Sequence, residues 1–392
     1  MISTRMNKRK GVVGLDIEAS SIAATEMHVN GGVQIGGYGI APLDPGVFRE
    51  GEVHEAGDLA EALKELFSAN KLPREVRLGV ANQRVAVRTL RLPTIEDSAE
   101  LEAAIRFQAQ DHIPMPLDQA VLDWQVIPPA AGAEAQDLEV VVVAARRDML
   151  QKAIDAVRGA GLRMVGIDHS AFALIRALSA EHPTFPMPAA IDDPGASFDP
   201  MADPARAPAP SQLPETAEMG VDPSVAAPAT GRLYCNLGDV TNLAVARGSY
   251  CLFTRVINFG IEGIAQSLAE RSGLTLEHSR QWLIHVGLEA PVESVEGDPQ
   301  VVSMTREALT VGTAKLGDEL RRSLEYYAAL EQSARVESVV VAGAGTTIPG
   351  LVEHLRNELP LPLDAATPGV LAGVAGAAAA RLTLSYGLGL EE

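Results

Sequence analysis

Gly14-Leu-Asp-Ile-Glu-Ala-Ser-Ser-Ile-Ala-Ala24 and Cys235-Asn-Leu-Gly-Asp-Val-Thr-Asn-Leu-Ala-Val245 are written to one plan. Each runs from apolar residues through an acid or amide into a turn of small and polar residues, then returns to an apolar run. Around the first copy, Val12–Ile17 and Ser21–Val29 read as strands about a Glu-Ala-Ser turn, and Asn30-Gly31-Gly32 sends the chain back into Val33–Ile35. Around the second, Leu233–Leu237, Asn242–Ala246 and Tyr250–Phe259 repeat the meander, with a hairpin turn at Arg247-Gly248-Ser249. A helix follows in each half, over Asp58–Ala69 and Gly260–Arg271. The chain says one thing twice, which predicts a duplicated α/β fold.

The bulk properties agree with two folded halves. At 392 residues the chain exceeds the usual size of a single core, and 47% apolar residues are ample for burial. A net charge of -19 disfavours nucleic acid and anionic lipid as partners. The basic opening MISTRMNKRKGVVGLD has its apolar run cut by Asp16, too early for a signal peptide, and the small, apolar run Gly369–Ala380 is short for a membrane span. We therefore expect a soluble protein without direct membrane insertion. Eight histidines fall in no His-Glu-x-x-His pattern, and neither a Cys-x-x-Cys pair nor a Walker A motif occurs. With the hairpin at Arg247-Gly248, Cys235 lies opposite a position near 261 and not Cys251, so both thiols are expected free.

Between 183 and 230 the composition changes abruptly, with 11 of the chain's 25 prolines, seven acids and few large aliphatics. Such a segment buries too little surface to offset its ordering entropy and is expected to be a disordered tether. It divides a first lobe, 11–182, from a second, 231–385. Within the first lobe, strands Val76–Ala81, Val85–Leu92, Val121–Val126 and Leu138–Ala144 and the helix Ile95–Gln110 are expected to form an inserted subdomain at about 76–145. The lobe then resumes with helix Arg147–Gly159, strand Arg163–Asp168 and helix Ala171–Ser179. The second lobe carries a helical subdomain at about 260–330, with helices Ile261–Ser272, Leu276–His285 and Gln300–Leu330, the last expected to break at Gly312 or Gly317. Strand Glu337–Ala342 then runs into Gly343-Ala-Gly345 and a helix at Gly350–Glu358.

This order resembles the superfamily of actin, sugar kinases and DnaK, in which two RNase H-like lobes close on ATP. Within it the chain is similar to the PilM family of type IV pilus assembly proteins, itself similar to FtsA. The resemblance rests on Gly14-Leu-Asp-Ile-Glu-Ala-Ser-Ser21, on Leu101-Glu-Ala-Ala-Ile-Arg-Phe-Gln-Ala-Gln-Asp-His-Ile-Pro-Met-Pro-Leu117 with Val121-Leu-Asp-Trp124, and on Arg322-Ser-Leu-Glu-Tyr-Tyr327. It implies an actin-like two-lobe fold with a small insert in the first lobe.

The resemblance also implies a nucleotide site for ATP and Mg²⁺. Tight turns aim consecutive N–H groups and hydroxyls at phosphate oxygens. Asp16 would hold Mg²⁺ through water, and Ser20, Ser21, Gly238, Thr241 and Asn242 would meet the phosphates. Gly343 and Gly345 match the adenosine motif, with Glu319 and Arg322 reaching from a neighbouring helix. On their own a Gly-x-Gly after a strand and an i,i+3 pair are also ordinary packing and an ordinary solvated surface pair. Three positions depart from the family pattern: Glu18 stands where it has Gly, Asn236 where an Asp is expected, and Ser170-Ala171 where it has Glu-Pro. Losing two acids that position metal and water while gaining a third beside the phosphates implies ATP bound weakly, or kept intact, or not bound. Asp111 and His112 read as the end of a helix and not as an acid/base pair.

The function implied is that of a cytoplasmic adaptor, peripheral at the inner face of the plasma membrane. It would bind the N-terminal cytoplasmic tail of a PilN-type inner-membrane protein as an extended peptide near the edge strand Val85–Leu92, alongside other alignment and motor components. A homo-oligomer stays open. The alternative is an active ATPase or filament-forming protein of cell division or pilus dynamics. An FtsA-like membrane anchor would need a terminal amphipathic helix, and the ending Ala380–Glu392 is glycine-broken and acidic.

Overall fold

The computed structural model describes residues 11–29, 32–129, 137–179, 230–330 and 333–390. The expected tether lies outside the described residues except for Thr230. The first lobe opens with the meander β1 (Val12–Ile17), β2 (Ser21–Val29) and β3 (Val33–Pro42), followed by the short pair β4 (Phe48–Arg49) and β5 (Glu52–Val53), helix α1 (Ala56–Asn70) and β6 (Glu75–Val80). Then come β7 (Ala86–Pro93), α2 (Ser98–His112), β8 (Ala120–Ile127), β9 (Asp137–Arg146), α3 (Arg147–Gly159), β10 (Arg163–His169) and α4 (Ser170–Leu178). The second lobe holds β11 (Thr230–Leu237), β12 (Thr241–Arg247), β13 (Tyr250–Ile257), α5 (Ile261–Ser272), α6 (Leu276–Val286), α7 (Pro299–Ala328), β14 (Arg335–Ala342), α8 (Leu351–Glu358), β15 (Leu363–Ala365) and α9 (Gly376–Gly389).

The repetition seen in the sequence is a repetition of topology. The first sheet runs β3-β2-β1-β6-β10 and the second β13-β12-β11-β14-β15. In each, an antiparallel meander occupies one side, and its first strand pairs in parallel with the next strand on the other. Val13, Leu15, Ile17, Val76 and Leu78 join Leu59, Leu63 and Ile154 in one core; Leu233, Leu237, Val339 and Val341 join Ile264, Leu309 and Leu320 in the other. The strands are rich in valine, isoleucine and leucine because both sheet faces are covered.

Helices α4 and α9 lie between the lobes and cross over. α4 ends the first lobe's strand series yet its Ala171, Leu174 and Ile175 pack with Tyr234, Ala244 and Ala342 of the second sheet. α9 ends the second lobe, and its Leu382 and Tyr386 pack with Ala23 and Met27 of the first. Contact this close demands glycine: a Cβ on Gly14 would sit 1.9 Å from the Ser385 carbonyl oxygen, and one on Gly387 2.0 Å from that of Ala173. The helix Gly376–Gly389 is thus buried from Ala379 onward, and among the described residues no helix is long and apolar enough to cross a membrane.

Three expectations need correction. Residues 75–80 do not open the insert: β6 pairs in parallel with β1 and β10 inside the lobe sheet, because its Val76 and Leu78 face that core. The inserted sheet is β7-β9-β8, with α2 laid across it through Ile105 and Ala109. Second, α7 runs unbroken for 30 residues, its start capped by Asp298. Gly312 and Gly317 let neighbours approach, since a Cβ on Gly312 would lie 2.5 Å from Ile264. Third, Cys235 pairs with Leu243 and Cys251 with Ala246, because β11, β12 and β13 form a three-stranded meander; both thiols are free and buried. The helix expected at Gly350–Glu358 is α8, reached from Gly343-Ala-Gly345 through a 3₁₀ turn over Ala344–Thr347.

Candidate functional site

The two turns of the repeat face each other across the cleft between the lobes. In the first, Ile17 pairs with Ile22 across Glu18-Ala19-Ser20-Ser21; in the second, Leu237 pairs with Thr241 across Gly238-Asp239-Val240. Asp16 and Asn236, next to last in their strands, are both buried. The turns touch directly. The backbone N–H of Ser20 donates to the Asp239 carboxylate at 2.6 Å, and the backbone N–H of Asp239 donates to the carboxyl of Glu18. A Cβ on Gly238 would sit 2.0 Å from Glu18 Oε1, so the glutamate fills the space that the glycine leaves.

Arg381 of α9 closes this arrangement from below. Its guanidinium bonds the Asp16 carboxylate, lies 3.3 Å from Glu18 Oε2, and donates to the Ser21 hydroxyl at 2.8 Å and the Ser21 carbonyl at 2.9 Å. Arg381 is 8% exposed, Asp16 4% and Glu18 8%. Burial pushes the Glu18 carboxyl up to about 8 against the pull of Arg381, with Asp239 and Asp16 adding to the rise. Burial likewise raises Asp16, opposed by Arg381. Burial also works against charge on Arg381, yet Glu18 and Asp16 outweigh it and hold the guanidinium protonated.

Beside these groups lies a cavity of ≈ 30 Å³ bordered by Asp16, Glu18, Ser170, Asn236, Asp239 and Asn242. Both amide atoms of Asn242 and the hydroxyl of Ser170 lack a protein partner there. The space suits one or two ordered waters on those polar atoms.

Of the residues expected at a nucleotide, the structure gathers Asp16, Ser20, Ser21, Gly238 and Asn242 at this cleft. Thr241 lies in the second turn with its hydroxyl donated to the Phe259 carbonyl at 2.8 Å. Gly343 sits against Asn236, 2.4 Å separating a would-be Cβ from Asn236 Oδ1, and its φ of 92° is one only glycine holds easily. Gly345 is buried against Leu237. The structure does not bring Glu319 and Arg322 to the cavity: Glu319 ties α7 to β13 through Arg255 at 3.0 Å and pairs with Arg322 at 2.9 Å. Asp111 and His112 are exposed at the end of α2.

A nucleotide's phosphates and Mg²⁺ do not fit these side chains as they stand. The N–H groups of Ser20 and Asp239 are taken by carboxyls, Asp16 is paired with a guanidinium, and four acids, Asp16, Glu18, Glu50 and Asp239, line the cleft where phosphate charge would go. Among the described residues no group of three or more His, Cys, Asp or Glu is placed to hold a metal ion. Sequence reasoning missed Arg381 and Asp239. The signal for the first was a single cation inside an otherwise small and apolar helix, which has to find an acid once buried.

Duplicated lobes, crossed helices and facing turns define an actin-like protein. Within that class the resemblance read from the sequence is to PilM, and it is borne out: residues 14–191 match the family model of type IV pilus assembly protein PilM. That match covers the first lobe and its insert. A solved structure described as a PilM–PilN type IV pilus biogenesis complex is 24% identical, with 97% of this chain and 98% of that chain covered at a TM-score of 0.72. The ethanolamine utilization protein EutJ from Carboxydothermus hydrogenoformans is 13% identical (97% and 89% covered, TM-score 0.49), and MreB5 of Spiroplasma citri bound to ADP is 12% identical (97% and 95% covered, TM-score 0.48).

Proposed function

We propose that this chain is an actin-like adaptor of type IV pilus assembly that acts by binding, and that its ligand is the N-terminal cytoplasmic tail of a PilN-type inner-membrane protein. The observation that carries the reading is the PilM match over residues 14–191, which takes in the whole inserted subdomain. Likeness over nearly the full length to the PilM–PilN structure supports it. In this reading the protein sits at the inner face of the membrane through its partner.

The insert offers the kind of surface an extended peptide uses. Its sheet has two edges, β7 and β8. β7, the strand expected to take the peptide, leans on the second lobe, where the Thr89 hydroxyl donates to the Leu252 carbonyl at 3.4 Å and Gln83 of the preceding loop to the Val256 carbonyl at 3.1 Å. That leaves β8, whose Val126 is exposed, as the edge for main-chain pairing. Catalytic turnover of ATP, the rival reading, needs a metal ligand and a free phosphate turn, and the pairing of Asp16 with Arg381 works against both.

The test is titration of the intact protein with a synthetic peptide of the partner's cytoplasmic tail. Saturable binding in the micromolar range that weakens at least tenfold on replacing Val126 and Trp124 by Asp supports the adaptor; absence of binding at millimolar peptide overturns it.

A further inference from the structure

We infer that the carboxyls of Glu18 and Asp239 serve as built-in acceptors for the two turns, so that this protein holds its lobes together without nucleotide and excludes ATP from the cleft. The inference goes beyond the adaptor reading, which requires neither nucleotide nor its exclusion.

Three observations carry it. The first is reciprocity: the first turn's N–H at Ser20 is bound by a carboxylate from the second turn, and the second turn's N–H at Asp239 is bound by a carboxyl from the first. Turn N–H groups bind the acceptor oxygens of anions, and here the accepting carboxyls come from the opposite lobe. The second is space. Glu18 occupies the volume beside Gly238, and the remaining cavity of ≈ 30 Å³ suits water and not a phosphate chain. The third is charge. Asp16, Glu18 and Asp239 converge with one cation, Arg381, which Asp16 and Glu18 already share. No other cation borders the cavity among the described residues, so a triphosphate entering this low-dielectric cleft finds no unshared positive charge.

The arrangement also joins three separate parts of the chain: the first turn, the second turn and α9. A bound nucleotide would connect the first two in the same way, through phosphate oxygens accepting from both turns. Glu18 and Asp239 supply those acceptors permanently, and the neighbouring glycine in the second turn is what makes room for one of them.

The experiment uses the full chain. Isothermal titration with MgATP and MgADP is paired with hydrogen exchange of residues 16–21 and 236–242. For the unsubstituted protein we expect no binding at 1 mM nucleotide, and amide protection in both turns that nucleotide leaves unchanged. Glu18→Gly, which frees the Asp239 N–H and the space beside Gly238, should lower protection in the second turn and raise nucleotide affinity at least tenfold. Asp239→Ala, which spares the Arg381 contacts, should lower protection at Ser20 and keeps the test open if the first variant folds poorly. Micromolar MgATP binding by the unsubstituted protein, or unchanged protection in both turns of both variants, overturns the inference. Peptide binding at the insert is measured separately, so loss of the adaptor reading leaves this one standing, and the reverse.

Discussion

The two turns have the same place in the same topology and each lends the other a carboxyl, yet the strand ends that lead into them differ in chemistry. The first is acidic at Asp16 and Glu18 and is met by Arg381; the second has an amide at Asn236 and a glycine at 238, and no guanidinium reaches Asn236 among the hydrogen bonds described. The difference shows how a duplicated site becomes a matched pair. A buried carboxylate persists where a cation is buried with it, and where none arrives a neutral side chain of the same shape takes the position. Likewise the bulk of Glu18 on one side is answered by the missing Cβ of Gly238 on the other.

The sharpest way to break the comparison is Arg381→Ala. It strands Asp16 and Glu18 in the interior, and the loss should be about 3–5 kcal/mol in urea denaturation. Arg322→Ala, which breaks an ion pair whose arginine is 65% exposed, should change stability by under about 1 kcal/mol. Equal losses in the two variants would mean that the buried cluster has no special weight.

A smaller effect is expected from Gly238→Ala, which sets a methyl against Glu18. Overpacking should cost about 1–3 kcal/mol, and most of that should vanish when Glu18→Gly is added. Additive losses in the double variant would show that the two residues do not share the space.

The smallest effect sharpens the comparison through pH. Glu18 has its carboxyl at about 8 in the fold, above its ordinary 4.5, so the folded state keeps a proton that the unfolded chain releases. That contribution is complete below the unfolded value and is lost as pH rises through about 8. Asp16 shifts in the same sense; Asp239 and Arg381 are the other charged groups in contact. The melting temperature should therefore fall by ~3 °C or more between about pH 6 and pH 9, and Glu18→Gln should flatten the slope. A profile unaffected by that substitution would place the titration elsewhere.

Much of the fold was legible because it depends on local pattern. Turn residues between apolar runs marked the meanders, and the run at Glu337–Ala342 marked an inner strand that proved to be β14. The errors arose where a segment's neighbours decide its role. Glu75–Val80 has the same local character whether it pairs inside an insert or beside β1, and only the core it faces separates the two. Gly312 and Gly317 read as helix breakers by propensity, yet α7 packs on α5 and α8 there and tertiary contact overrides the local penalty. In the site, the turns were visible from their repeated wording, and Glu18 was visible as a departure. What Glu18 does was not, because its partners Asp239 and Arg381 lie 221 and 363 residues further along the chain.

The amino-acid sequence by itself determined that the fold is duplicated and that a turn rich in small and polar residues recurs in each half. It could do so because strands, turns and helices answer to residues near them in the chain. Only the tertiary structure decided that those turns bind one another, since Arg381, Asp16 and Asp239 meet solely after α9 crosses onto the first sheet, and Coulombic and hydrogen-bonding forces act on distance in space.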